Sequence, residues 1–391
     1  MPPLVTIVTP SYNQGRFIRA TIESVLSQDY PRVEYIIIDG ASTDETAAVV
    51  QPYRDRLIWI SEKDAGQSHA INKGFRMAKG EIVAWINSDD TIQPGAVSHA
   101  VRAFHDFPDV GAVYGEGYQI DGDGNIKQRF PSTEPFNLWK LVYLSDYILQ
   151  QTVYFRRSVL DDIGFLDESL KWGMDWDILI RIGKRYPLQY IPEYIGCLRE
   201  HGDTKTATGG RERFRELARI LRQHGGRAYP PGYVTYGLDT YGGIWDRWIE
   251  RHTPRLFDIP SRWVRKHLLA ATRYVIDYTL REAQGWYSDG WVTTKAHFML
   301  PAGNGRLRLR GSVPELGPKL RGQTVGIECN GERRDTALGF GDFDIVLPFA
   351  PSKRAATITV RAARYVVPAA EGLGPDRRRL ALILQAPQWA R

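Results

Sequence analysis

Residues 81–90 read "EIVAWINSDD". From Ile82 to Ile86 the run is apolar with β-branched members, the composition of a strand covered on both faces of a parallel sheet. The chain then turns abruptly polar and reaches two adjacent carboxylates, Asp89 and Asp90. Neighbouring carboxylates repel each other and resist burial, so solvent, hydrogen bonds or a cation must favour them at this strand end.

The same rhythm extends on both sides of this stretch. "LVTIV" reads as a strand, and after the polar loop "TPSYNQGR" comes a helix with Ile18, Ile22, Val25 and Leu26 on one face. "VEYIIID" is a second strand, and Ser42 with Glu45 is expected to form a capping box for the next helix. "LIWI", residues 67–79, residues 94–107 and "VGAVYG" continue the alternation of strand and helix. That alternation predicts a doubly wound, mainly parallel α/β sheet. Ligands of such sheets bind outside the carboxyl ends of the strands, where Asp39, the "SEKDAGQ" loop and "NSDD" all arrive.

Beyond about residue 223 the pattern changes. Ser261 is expected to cap a helix ending at Gly285, with Val264, Leu268, Ala271, Val275 and Tyr278 on one seam. Its flanking arginines and lysine suit either a packed connector or a membrane-surface helix. From Gly285 the period becomes two: Leu307 and Leu309 alternate with Arg306, Arg308 and Arg310, and an Asn330-Gly331 turn follows Val325, Ile327 and Cys329. Short strands with turn signals predict an antiparallel β-sandwich. The expected division is an α/β domain over 1–225, a helical connector over 226–285 and a β-sandwich over 286–391.

Composition narrows the class. With 391 residues, 43% hydrophobic and 25% charged, the chain is that of a globular protein of two or more domains. No apolar run approaches the ~20 residues that cross a bilayer. The opening "MPPLVTIVTPSYN" lacks a basic start and an A-x-A-like site, so no secretory leader is expected. Two cysteines, Cys197 and Cys329, give no disulfide framework and suit the cytoplasm. A formal net charge of +6 suits acidic partners without choosing among them.

Asn87 and Asp89 at a strand end present hard oxygens suited to Mg²⁺ or Mn²⁺, although the same residues also favour a solvated turn. Asp175, with Asp177 and between Trp172 and Trp176, is either a helix cap or a partly desolvated general base beside rings able to stack on a ligand.

Taken in order, "PSYNQGRFIRATIESVLSQDYPRVEYIIIDGASTDET", "DAGQSHAINKGFRMAKGEIVAWINSDD" and "GMDWDILIRIG" resemble the family 2 glycosyltransferases of the GT-A fold, over roughly residues 4–206. The resemblance implies transfer of a sugar from a nucleotide diphosphate sugar to an acceptor hydroxyl, generally with inversion and with a divalent metal, Mn²⁺ or Mg²⁺, on the diphosphate. It places Pro10 and Tyr12 at the nucleotide, Asp39 on the base and Asp64 near base and ribose. It makes Asp89 the dependable metal ligand and Asp175 the base that takes the acceptor proton. His201 is the candidate third metal ligand, and Asn72 and Lys73 are candidates to reach the nucleotide. Asn87 stands where many relatives carry Asp, leaving a neutral ligand or ribose contact, and Met174 replaces the Glu of a common Glu-Asp pair. UDP is the favoured nucleotide with dTDP as the alternative.

The implied acceptor is a bacterial surface glycan, free or lipid-linked, with peripheral contact at the inner face of the membrane. Arg156 and Arg157 are candidates to meet an anionic acceptor, and nucleic acid is not expected as a partner. Residues 286–391 resemble the accessory β-sandwich of some cell-surface glycosyltransferases; Trp286, Tyr287 and Trp291 are either glycan-stacking or core residues. Two rival readings are a carbohydrate-binding protein with a degenerate transferase site and a sugar nucleotidyltransferase, the latter poorly served by a first loop with one glycine.

Overall fold

The computed structural model describes residues 1–201, 209–252, 267, 284–287 and 289–390, leaving aside the side chains of 246–252. The helix expected from Ser261 to Gly285 lies outside the described residues except for 267, 284 and 285. The chain forms two compact units. The first comprises residues 1–136 and 146–220; the second comprises 137–145 and the described residues from 221 onward.

In the first unit the strands are β1 (Val5–Ser11), β2 (Val33–Asp39), β3 (Ile58–Ser61), β4 (Ile82–Trp85), β5 (Thr91–Ile92), β6 (Ala112–Ile120), β7 (Ile126–Arg129), β8 (Tyr154–Arg156) and β9 (Leu188–Arg199). Its main helices are α1 (Gly15–Leu26), α2 (Thr46–Val50), α3 (Gln67–Met77), α4 (Ala96–Asp106), α6 (Arg157–Ile163), α7 (Met174–Gly183) and most of α8 (Gly210–Gly225), while α5 (Leu138–Tyr143) and α9 (Pro231–His252) are counted with the second unit. The sheet order is β3-β2-β1-β4-β8-β6-β9-β5, with β7 beside β6.

The half built from β3, β2, β1 and β4 is parallel, as the alternation of strand and helix demands. Beyond β4 the sheet is mixed: β8 enters antiparallel between β4 and β6, and β9 lies parallel to β6. Strands β1, β2, β4, β6 and β9 therefore deliver their carboxyl ends to one edge.

Periodicity explains how the layers close. Ile18, Ile22 and Val25 of α1 pack with Val97, Ala100 and Phe104 of α4 against Val5, Ile7, Tyr35 and Ile37. On the other face α3 approaches β1 closely at Gly74, where a Cβ would lie 2.4 Å from Val8 Cγ1. Arg156 and Arg157, candidates for an acceptor contact, are instead turned inward. Arg156 donates to the carbonyls of Phe104 and Val110, and Arg157 to those of Phe75 and Ala78, so each satisfies acceptors at the end of a helix. Lys73 pairs with Glu62.

The capping box expected at Ser42 and Glu45 does not form. Ser42 Oγ donates to Asp39, and α2 begins at Thr46, whose N–H is taken by Asp44 Oδ1 at 3.0 Å. A buried carboxylate at the end of β2 competes for that hydroxyl and wins it.

The second unit contains the sandwich. One sheet has the order β10 (Trp291–Val292), β17 (Leu382–Leu384), β12 (Arg306–Val313), β15 (Gly341–Pro348), with β18 (Gln388–Trp389) beside β12. The other has the order β11 (Lys295–Leu300), β16 (Ala356–Ala362), β13 (Gln323–Cys329), β14 (Glu332–Leu338). All pairings are antiparallel. Asn330 and Gly331 both have positive φ, 48° and 90°, as a two-residue hairpin turn requires. Leu307, Leu309, Val325, Ile327, Ile358 and Val360 meet in the core, and Trp286 and Trp291 pack against it. Trp286 Nε1 donates to the Leu384 carbonyl at 2.9 Å, and Tyr287 is buried under Arg378. These aromatics are packing residues.

Candidate functional site

The four polar residues after β4 divide their labour by burial. Asp90 is inside: Oδ2 accepts from Gln151 Nε2 at 2.6 Å and from Asn87 Nδ2 at 3.0 Å, while Oδ1 accepts from the Arg199 N–H at 2.8 Å. Burial and the neighbouring Asp89 charge push its pKa up to about 7 despite those bonds. Asp89 is the carboxylate left facing outward. Its Oδ2 lies 3.1 Å from His201 Nε2, and its backbone carbonyl accepts from Arg199 Nε at 2.7 Å. The His201 ring rests on Phe17 of α1, with centroids 4.7 Å apart, and the Arg199 guanidinium covers the same ring.

Asn87 is occupied within this frame. Its Oδ1 accepts from Gln67 Nε2 at 2.7 Å, and its Nδ2 donates to Asp90 and to Gln150 Oε1. The expected ligand or ribose contact is thus first a strut between the "NSDD" turn, the start of α3 and the Gln150 loop.

At the neighbouring strand end Asp39 closes β2 and is 1% exposed. Its Oδ2 accepts from the Ser42 N–H at 3.0 Å and from Ser61 Oγ at 2.6 Å, and its Oδ1 accepts only the Ser42 hydroxyl among the described residues. A carboxylate oxygen has capacity for a second donor, so Oδ1 retains one. Gly40 follows, and a Cβ there would sit 2.8 Å from Asp64 Oδ2 and 3.3 Å from the Tyr12 ring. Asp39, Tyr12 and Asp64 therefore come together, with Tyr12 62% exposed.

Ala41 and Asn13 both carry left-handed backbone, φ 62° and 52°. The two strained loops are tied by Asn13 N–H to Ser42 Oγ and Thr43 N–H to Asn13 Oδ1. Pro10 is not at the surface: it fills the β1 ladder opposite Ile38 and is buried. Ser11 Oγ, opposite Asp39 in register, is buried and has no hydrogen-bond partner among the described residues.

Asp175 stands in the first turn of α7, which Gly173 caps without a side-chain bond. Its Oδ1 accepts the Trp176 N–H, and burial raises its pKa above the usual carboxylate range. Asp146, not singled out from the sequence, is raised well above that range by burial and by the charge of Asp175. Arg213 of α8 is the cation that both carboxylates sense. Trp176 is 1% exposed and belongs to the core, so it is no sugar platform.

Met174 points inward and accepts from Ser68 Oγ at 2.7 Å. That contact joins Asp175 to the "NSDD" turn, because Gln67, beside Ser68, holds Asn87. A second route runs from Asp146 along the chain to Gln150 and Gln151, which bind Asn87 and Asp90. Asn72, expected near nucleotide, is 1% exposed and held by the fold: it donates to the Leu166 carbonyl and Glu168 and accepts the Leu166 N–H. It secures the loop before α7.

A donor set of one carboxylate oxygen and one imidazole nitrogen fits Mn²⁺ better than Mg²⁺, which prefers oxygen throughout. Among the described residues no third acidic, His or Cys side chain completes the set. Two protein ligands with positions left over suit a cation that also binds phosphate oxygens. Among the described residues no helix is long and apolar enough to cross a membrane.

Residues 6–164 match the model of the family described as Glycosyl transferase family 2, an interval containing Asp39, Asp89 and Asp146 and ending before Asp175 and His201. An uncharacterized glycosyltransferase of Rickettsia prowazekii is 27% identical over 224 residues, 55% of this chain and 70% of that protein. The chondroitin synthase of Escherichia coli is 28% identical over 192 residues, 48% of this chain but 27% of the synthase. S. aureus TarS 1-349, solved in complex with UDP-GlcNAc, covers 71% of this chain and 82% of its own length at 16% identity and a TM-score of 0.47.

Proposed function

We propose that this glycosyltransferase, whose residues 6–164 match the model of glycosyl transferase family 2, moves a sugar, with inversion and with a divalent metal, from a nucleotide diphosphate sugar to an acceptor hydroxyl on a glycan. The observation that carries the reading is the meeting of Asp89 with His201, 112 residues apart in sequence, in a frame linked by Asn87, Gln67, Ser68 and Met174 to Asp175.

Each residue has a task. Asp39, with one acceptor position left on Oδ1, takes an N–H of a pyrimidine base, which favours UDP or dTDP. Tyr12 and Asp64 flank the base and ribose. Asp89 and His201 would hold Mn²⁺ or Mg²⁺, which when bound neutralises charge on the departing diphosphate. Asp90, whose oxygens accept from Gln151, Asn87 and the Arg199 N–H, supports the turn in this reading. Asp175 takes the proton of the acceptor hydroxyl as that oxygen attacks the anomeric carbon opposite the leaving diphosphate. Its raised pKa makes it a stronger base than an ordinary carboxylate.

The relation to a chondroitin synthase supports a glycan acceptor, and we extend it to a bacterial surface glycan, free or lipid-linked, at the cytoplasmic face of the membrane. The test is a thermal-shift titration with UDP, dTDP, GDP and CDP, each with and without Mn²⁺, on the wild type and Asp89→Ala. A UDP shift that needs Mn²⁺ and vanishes in Asp89→Ala supports the reading. No shift with any nucleotide overturns it.

A further inference from the structure

Glu216 of α8 is an acid with an unusual set of partners. Its Oε1 accepts the N–H groups of Trp172 and Gly173 at 2.7 and 2.9 Å, and its Oε2 accepts that of Lys171 at 2.9 Å. Glu216 is 9% exposed, so one buried carboxyl group ties down consecutive amides of the turn that leads directly into Asp175. No side chain intervenes at Gly173, where a Cβ would meet Ile220 Cδ1 at 2.5 Å and Leu217 Cδ2 at 3.0 Å. The amides before a helix lack intrahelical partners and attract negative charge, which is why a carboxylate can be held there. Arg213, one turn earlier on α8, is the cation whose charge favours the ionised form of both Asp146 and Asp175.

We propose that Glu216 is a positioning residue for Asp175: by clamping the 171–173 turn it fixes the start of α7 and the direction in which the Asp175 carboxylate is presented to the acceptor. This rests on the reading of Asp175 as the base. Glu216 touches no reacting group and acts through the turn. Burial is the main cause of the raised Asp175 pKa, and the Glu216 charge adds to it.

The experiment uses the full chain with Mn²⁺ and two probes, UDP-glucose and UDP-N-acetylglucosamine, reading UDP release across pH for the wild type, Glu216→Ala, Glu216→Gln and Asp175→Asn. Amide exchange of peptides over 171–177 is followed in parallel. Glu216→Ala is expected to raise that exchange and to lower kcat by about 10²-fold with donor KM within about twofold, as a base displaced by roughly 1 Å would. Glu216→Gln keeps an acceptor for Trp172 and Gly173 but removes the charge. It should recover part of kcat and shift the acid limb of the profile to lower pH, because Asp175 then ionises more easily. A folded Glu216→Ala with wild-type kcat and acid limb overturns the proposal, as does a loss carried wholly by KM or one that Glu216→Gln does not relieve. Asp175→Asn separates the two claims. If it keeps the wild-type rate, the base assignment falls and the proposal with it; if it is inactive while Glu216→Ala is unimpaired, only the positioning role falls.

Discussion

The imidazole of His201 lies 3.1 Å from the carboxylate of Asp89, and the ring is held there by Phe17 beneath it. Two donors of different chemistry are thus brought together from the end of β4 and the residues after β9. Removing either donor should remove metal-dependent nucleotide binding. With UDP and Mn²⁺ at a hundredfold excess over Kd, the wild type gains about 2.7 kcal/mol of apparent stability. Asp89→Ala and His201→Ala are each expected to lose most of that gain in a thermal-shift titration. Equal gains in all three proteins would remove both residues from the metal site.

Asp175→Asn should separate binding from chemistry. The amide keeps the shape of the side chain and cannot take a proton, so UDP release is expected to fall by about 10²–10⁴-fold. The Mn²⁺-dependent UDP shift should remain. In the wild type the acid limb of kcat should lie above the ordinary carboxylate range, because burial favours the protonated form and the base must be ionised to act.

Asp146 supplies a test through stability. Its folded-state pKa is raised by burial and by Asp175, so the folded protein holds the proton more tightly than the unfolded chain does. Its contribution is therefore full below the ordinary carboxylate range and is lost as pH rises through the raised folded value. Asp146→Asn should remove that loss, by ~1.4 kcal/mol for each pKa unit of the shift. The gain in Tm over the wild type should be larger at about pH 8 than at about pH 4. A pH-independent difference would contradict a protonation origin.

Asn72→Ala tests whether that residue serves the nucleotide or the fold. Its amide answers both the N–H and the carbonyl of Leu166 in a buried position. Leaving them unpaired should cost about 1–3 kcal/mol in chemical denaturation. The UDP and Mn²⁺ shift should survive in full. A stable variant that no longer binds UDP would return Asn72 to the nucleotide site.

The sequence alone determined what depends on near neighbours. The apolar run before Asn87 sets β4, the alternation of strand and helix over residues 4–107 sets the parallel half-sheet, and the period of two after Gly285 sets the sandwich. These patterns are local because backbone geometry repeats every two or 3.6 residues. The strand and helix ends carrying Asp39, Asp89 and Asp175 were legible for the same reason.

Only the tertiary structure decided how adjacent, chemically identical groups divide their roles. Asp89 and Asp90 are indistinguishable as letters. Gln151 and the Arg199 backbone, 61 and 109 residues away, claim Asp90 and leave Asp89 to His201. The same holds for Asn72, spent on Leu166, and for Glu216, which the sequence did not single out and on which the amides of 171–173 close. A polar side chain's role depends on which donor and acceptor reach it, and that is set by contacts far apart in sequence that no local period records.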